Sequence, residues 1–206
     1  MRLYFDTCIV NDSFVLLQIH GGDKLRSQDV KWPLERWIPE YIALYYLLDL
    51  DDQWELELGS SSIMRDELKN MHICSDLTRE KKSTMLQTYD FLVEKTLFLE
   101  LLPVPERLIR KVSKVLPDRK DVEHVCQVVL GRWDYFITTD SHSILAHVEQ
   151  LKPLGIIAVS PRVFVEDNFM TLEQLVRTLH GSWTSLKDIE KSWINEIKAS
   201  ARCDNK

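Results

Sequence analysis

The sequence predicts an α/β protein: a three-layer α/β/α domain with a mostly parallel central sheet, followed by a C-terminal helical extension. Two patterns carry that expectation. Five short apolar runs, each closed by a polar or chain-breaking residue, read as buried strands, and stretches of 3.6-residue periodicity lie between them. Strands alternating with helices favour a parallel sheet covered on both faces. The 206 residues are 45% hydrophobic and 28% charged, enough for a proper core, and only six glycines and seven prolines argue against collagenous or low-complexity chain.

In order along the chain, Leu3-Tyr4-Phe5 is the first strand, ending at Asp6-Thr7. Leu34, Ile38, Ile42 and Tyr45 share one helical face. Trp54–Leu58 is the second strand, stopped by Gly59, with a helix beginning near Ser60–Ser62. Leu97–Leu102 is the third strand, ended by Pro103, and Leu108, Val112, Val115 and Leu116 mark the helix after it. A helix over Arg119–Gly131 presents Val122, Val125, Cys126, Val129 and Leu130; Asp118 is its N-cap. Tyr135–Thr138 is the fourth strand, and Asp140 caps a helix over Ser141–Leu151. Ile156–Val159, before Pro161, is the fifth strand. A helical pair follows, Thr171–His180 and Ser185–Ala201, split by Gly181. This gives two expected domains, 1–165 and 166–206.

Several function classes are excluded early. The longest apolar stretch, Tyr41–Leu48, is far shorter than the roughly 20 residues of a membrane helix. The start of the chain has no apolar h-region, so a cytoplasmic protein is expected. Cys8, Cys74, Cys126 and Cys203 form no Cys-x-x-Cys pair, which suits reduced thiols. Nucleotide-binding glycine loops, the Walker lysine motif, the G-x-S-x-G elbow and the H-E-x-x-H zinc motif are all missing.

What remains is a set of acids. In an open parallel sheet the loops after the strands and the N-termini of the helices that follow them converge on the carboxyl edge. Asp6 ends the first strand and Asp140 the fourth. Glu67 lies early in the helix after the second strand, and Asp121 in the first turn of the helix that feeds the fourth. Topology alone therefore gathers Asp6, Glu67, Asp121 and Asp140 at one edge. Clustered carboxylates repel and raise one another's pKa unless a cation neutralises them. Mg²⁺ or Mn²⁺, which prefer carboxylate and water oxygens, are the fitting ions, and such ions activate water for phosphodiester cleavage. Singly, each acid has a plainer role: Asp6 as a turn residue, Asp140 and Asp118 as caps, Glu67 as a solvated helix residue. The joint pattern carries the claim.

Around the acids, Thr7 and Ser141 offer hydroxyls, and His124 shares a helical flank with Asp121. Arg107, Arg110, Lys111 and Lys114 follow i, i+3, i+4, i+7 spacing and form a cationic stripe suited to phosphate, or else simply a solvated face. The net charge is −6, and without the four clustered acids it falls to −2, so overall acidity does not exclude RNA.

These residues resemble the PIN-domain ribonucleases, particularly the VapC-like toxins. Leu3-Tyr4-Phe5-Asp6-Thr7-Cys8 is similar to the opening strand with its Asp-Thr signature, and Ser61–Leu68 to the second motif, with Glu67 its glutamate. Asp121-Val122-Glu123-His124 resembles the Asp-x-x-His form of the third motif, and Tyr135–Asp140 the T-x-D fourth. The resemblance covers about residues 1–165. It implies a metal-dependent endoribonuclease acting on RNA, a homodimer and, for toxin members, a small antitoxin protein as partner. The stretch Val15–Trp54 and the tail after Pro161 go beyond the family's minimal core. Two other readings stand beside it. A haloacid-dehalogenase-like phosphohydrolase also opens with a strand-end Asp, but normally has a second Asp where this chain has Cys8. A non-catalytic PIN-like module that binds nucleic acid or protein would use the acids to hold a structural ion, or the helical tail to dock a partner.

Overall fold

A computed structural model describes residues 1–21, 33–49, 56–71, 79–179, 191–192 and 194–195. Five strands, β1 (Arg2–Phe5), β2 (Glu57–Ser61), β3 (Leu97–Leu99), β4 (Tyr135–Ile137) and β5 (Ala158–Val159), form one all-parallel sheet in the order β3-β2-β1-β4-β5. The helices are α1 (Cys8–Gly21), α2 (Leu34–Asp49), α3 (Ser62–Asn70), α4 (Arg79–Lys95), α5 (Glu106–Val112), α6 (Arg119–Gly131), α7 (Val148–Leu151), α8 (Pro161–Asn168) and α9 (Leu172–Leu179). The expected α/β class holds: a parallel sheet flanked by helices. Among the described residues no helix is long and apolar enough to cross a membrane.

The chain divides into two compact units. The first comprises Met1–Asn11 and Leu50–Ser160; the second comprises Asp12–Asp49 and the segment from Pro161 onward. This partition differs from the linear one read from the sequence, 1–165 and 166–206. In the second unit α2 packs on α8 and α9, so the stretch inserted after β1 and the helices after β5 are one body rather than an insertion and a tail. Tyr46 and Phe164 both meet the edge of Phe169 there, with centroids 5.9 and 5.8 Å apart. The backbone N–H of Arg162 donates to Glu40 at 2.9 Å. Of the expected C-terminal pair, the first helix is α9, and Ser185–Ala201 lies mostly outside the described residues.

In the first unit, Tyr4 of β1 is in register with Gly59 of β2 and Phe136 of β4. Phe136 in turn pairs with Ala158 of β5. Side chains alternate across a sheet, so these residues share one face. That face carries a buried cluster in which Tyr4, Phe136 and Ala158 meet Val112 of α5, Val122, Val125 and Cys126 of α6, and Leu151 of α7. On β2 and β3 the sheet is covered by α4. From β1 the chain moves to β2 and then β3 on one side, and from β3 it returns to β4 on the other side of β1. Crossovers between parallel strands are right-handed, so this reversal changes the face that the helices occupy. It also makes the β1/β4 boundary the topological switch point, the place on the carboxyl edge at which open parallel sheets bind ligands.

Several predicted boundaries are corrected. The second strand is Glu57–Ser61 rather than Trp54–Leu58, because the small residues Gly59, Ser60 and Ser61 lie inside the sheet. Their buried hydroxyls are satisfied there: Ser60 bonds Thr96 at 2.7 Å and Ser61 bonds Tyr4 at 2.7 Å. The third strand stops at Leu99, and the chain beyond it is held by Gln127, whose side-chain amide makes paired 2.9 Å bonds to the backbone N–H and C=O of Leu102. The helix expected over Ser141–Leu151 is broken into a turn, a 3₁₀ segment at Leu145–His147 and the single turn α7. Helix α5 ends at Val112, which leaves Lys114 in the turn that follows. By contrast α6 matches its expected bounds, and Asp118 caps it by accepting from the N–H groups of Lys120 and Asp121.

Candidate active site at the carboxyl edge

Asp6 follows β1 directly and is buried, with 6% of its surface exposed. Three donors fix its carboxylate. Oδ1 accepts from the Thr7 N–H at 2.7 Å, and Oδ2 accepts from the Thr138 hydroxyl at 2.6 Å and the Cys8 thiol at 3.2 Å. Thr138 also accepts the Asp140 N–H at 3.0 Å, which ties the ends of β1 and β4 together.

Asp140 keeps the capping role that its position announced. Its Oδ1 accepts from the N–H groups of His142 and Ser143, both at 2.9 Å, and so closes the turn after β4. The Ser143 hydroxyl then donates to Asp121 Oδ2 from across the edge. The hydroxyl sought at Ser141 is therefore supplied by Ser143; among the described residues Ser141 makes no bond to the acids. An Asp followed three residues later by Ser is a signal for this turn, but only the broken helix reveals where Ser143 points.

Glu67 sits in the second turn of α3, and its Oε2 accepts from the Thr7 hydroxyl. Nε2 of His124 is 3.2 Å from the same oxygen and 3.9 Å from Asp6 Oδ1. Thr7 and His124 thus stand between Asp6 and Glu67: the imidazole, which shares a helical flank with Asp121, bonds Glu67 rather than Asp121. Ser61, at the N-cap of α3, does not cap it, because its hydroxyl is engaged by Tyr4.

No protein-family profile, curated protein or solved structure matches the chain. The site is accordingly read from its own chemistry.

Its electrostatics separate two of the acids. Burial pushes the Asp121 carboxyl up to about 6, against the opposing hydrogen bond from Ser143; the charges of Asp6, Asp118 and Asp140 push it further in the same direction. Burial also acts to raise Glu67, but the hydrogen bond and charge of His124, the Thr7 hydroxyl and the charge of Lys120 outweigh it and leave Glu67 below the ordinary carboxylate range. Glu67 is held ionised while Asp121 titrates closer to neutrality. The Ser143 N–H and hydroxyl, bonded to Asp140 and Asp121, tie the end of β4 to the start of α6.

The stripe is also located. Arg107, Arg110, Lys111 and Lys114 are all exposed, opposite half-buried Leu108 and buried Val112. Arg110 pairs with Glu106 at 2.6 Å, and among the described residues none of the four is bonded to the acids. Besides His124, Lys120 acts on Glu67, a cation that the sequence pattern does not single out because it stands just before the acid motif; its Nζ bonds Glu123 at 2.8 Å.

Among the described residues no three His, Cys, Asp or Glu side chains converge tightly enough to encage an ion. Mg²⁺ and Mn²⁺ do not need such a cage, because they keep several waters and take one or two carboxylates. Asp6, Asp121 and Asp140 are all carboxylates, and oxygen donors of that kind suit a hard divalent cation held by one or two of them together with water.

Burial of Asp121, with the neighbouring acids acting in the same direction, gives a pH-dependent expectation. Asp121 ionises near its ordinary 3.8 when unfolded and near 6 when folded, so between these values the folded state binds more protons. Its contribution therefore favours folding at low pH, and stability declines as pH rises through that window. Asp121→Asn is expected to raise the melting temperature of metal-free protein at pH 7 and to change it little near pH 4. Melting curves at the two pH values check this, and an equal shift at both would remove the cost of ionising Asp121 in the fold as the cause.

Proposed function

We propose that this protein is a metal-dependent endoribonuclease whose site consists of Asp6, Glu67, Asp121 and Asp140. What supports the reading is that Thr7 links Asp6 to Glu67 and Ser143 links Asp121 to Asp140, four carboxylates from four separate chain segments at the carboxyl edge of a parallel sheet. Mg²⁺ or Mn²⁺, held by Asp6, Asp121 and Asp140 with Glu67 alongside, would supply Lewis-acid activation of water and charge neutralisation at the phosphate.

The chain's own part follows from the contacts. Asp6 is immobilised by Thr7, Cys8 and Thr138, so its orientation costs nothing to reorganise when substrate arrives. Glu67 stays ionised. Asp121 accepts the Ser143 hydroxyl through Oδ2, which holds its carboxylate in place at the start of α6. The stripe on α5 offers charge for the RNA backbone away from the reacting phosphate. The toxin role, the small antitoxin and the homodimer follow from the PIN-domain resemblance alone.

Purified protein with Mn²⁺ and end-labelled RNA tests the reading: cleavage that EDTA abolishes is expected, and intact RNA under saturating Mn²⁺ would reject it. For the stripe, Arg110→Ala with Lys114→Ala is expected to weaken RNA binding about equally across sequences and to flatten its salt dependence, as loss of phosphate contacts does. An unchanged slope of affinity against salt would return the stripe to a merely solvated face.

A further inference from the structure

His124 is 1% exposed, yet both of its ring nitrogens are engaged by polar groups of different character. Nδ1 is 2.9 Å from the Tyr4 hydroxyl, which is itself 2.7 Å from Ser61 Oγ. Nε2 faces the site, 3.2 Å from Glu67 Oε2 and 3.1 Å from Thr7 Oγ1. A carboxylate only accepts, so Nε2 carries the hydrogen in this pair. Tyr4 is fully buried, and burial raises its pKa above the ordinary value, so its hydroxyl keeps its proton.

The ring has little freedom to turn. Tyr4 and Phe136 are direct cross-strand partners in β1 and β4. The imidazole stacks on Phe136 at 6.3 Å and 30°, and it meets Tyr4 edge-on at 5.7 Å. The sheet itself thus forms the platform on which the imidazole rests. A histidine serving only the core would spend both nitrogens on fixed core groups; here one nitrogen is spent on a partly exposed acid of the site.

The geometry points to Tyr4 and His124 as positioning residues for Glu67: Tyr4 orients the imidazole, whose Nε2–H and the Thr7 hydroxyl together fix Oε2 and leave Oε1 as the oxygen that Glu67 offers to a ligand. Among the described residues Oε1 takes no hydrogen bond. The inference rests on the reading of Glu67 as a site residue. Outer partners that orient a ligating side chain in this way are typically worth roughly tenfold to a hundredfold in metal affinity.

The test uses Mn²⁺ alone as probe, with the full chain, and circular dichroism to confirm each variant's fold. Tyr4→Phe is expected to weaken Mn²⁺ binding, measured by calorimetry, by roughly tenfold to a hundredfold. In a Glu67→Gln background the same change is expected to weaken it no further, because the effect runs through Glu67. His124→Gln, whose side-chain amide reaches the place of Nε2, is expected to bind Mn²⁺ more tightly than the shorter His124→Asn. Independently of any metal, ¹⁵N-histidine spectra of the apo protein are expected to show a protected Nε2–H in the wild type that is lost in Tyr4→Phe. Failure of the wild type to bind Mn²⁺ would reject the metal reading and leave the spectra to decide the positioning role. An unchanged Nε2–H signal in Tyr4→Phe, unaltered Mn²⁺ affinity in that variant, or equal weakening with and without Glu67 would each overturn it.

Discussion

Asp6→Asn is expected to abolish Mn²⁺-dependent RNA cleavage and to leave the fold in place. The substitution keeps volume and shape, and its new amide has partners waiting. With its oxygen kept toward the Thr7 N–H, the Asn amine faces Thr138 Oγ1 and Cys8 Sγ, which sit 2.6 and 3.2 Å from the present Oδ2. A hydroxyl and a thiol can both accept as well as donate, so each can take a hydrogen from the amide, and the Thr138 hydroxyl can turn its own toward Cys8 Sγ, 3.3 Å away. What disappears is one negative charge at the point where β1 and β4 meet. A cation that neutralises Asp6, Asp121 and Asp140 loses one of its counter-charges, and a hard ion gains little from a neutral amide oxygen in exchange. The measurement is cleavage rate under saturating Mn²⁺ beside a thermal melt of the same preparation. Cleavage at the wild-type rate by well-folded Asp6→Asn protein would end the metal-nuclease reading, whatever the other acids do.

Much of this site is legible in the sequence because strand ends and helix starts are the parts of an α/β chain that local signals mark best. Asp118 announces α6 by its capping chemistry, and the run Tyr135–Ile137 announces β4; Asp121 and Asp140 are placed by those two elements alone. Less legible are features decided by what packs from elsewhere. Gly59-Ser60-Ser61 has poor strand propensity and reads as a strand stop followed by a helix start, yet it forms the body of β2 because Trp133, Thr96 and Tyr4 meet it from other parts of the chain. Tyr4 looks like an ordinary core residue of the first strand, and its hydroxyl becomes informative only once His124 is seen beside it. The same limit explains the two units: that α2 packs on α8 and α9 is a tertiary choice which no local pattern in residues 34–49 announces.

Truncating Trp133 is expected to give the largest loss of stability of any single change in the first unit. The ring is 4% exposed and is confined from several sides. A Cβ at Gly59 would lie 2.4 Å from its Cη2, and one at Gly131 would lie 2.4 Å from its Nε1. The guanidinium of Arg2 lies over the ring, 4.3 Å from its centroid, and Tyr4 meets it edge-on at 6.0 Å. Gly59 and Gly131 thus act as the hollows that admit an indole between β2 and the end of α6. Trp133→Ala removes that filling and is expected to cost about 3–5 kcal/mol. The converse change, Gly59→Ala, drives a methyl into a ring that Gly131 and Arg2 keep from retreating, at an expected cost of about 1–3 kcal/mol. At roughly 2–4 °C per kcal/mol for a chain of this size, the truncation corresponds to a melting point lower by on the order of ten degrees. The two sites touch, so their effects should not add: Gly59→Ala is expected to cost less in a Trp133→Phe background, where the smaller ring leaves space for the methyl. Thermal or urea unfolding of the four proteins measures this coupling. A Gly59→Ala protein as stable as the wild type, or strict additivity with Trp133→Phe, would mean that the indole does not occupy the hollow over β2.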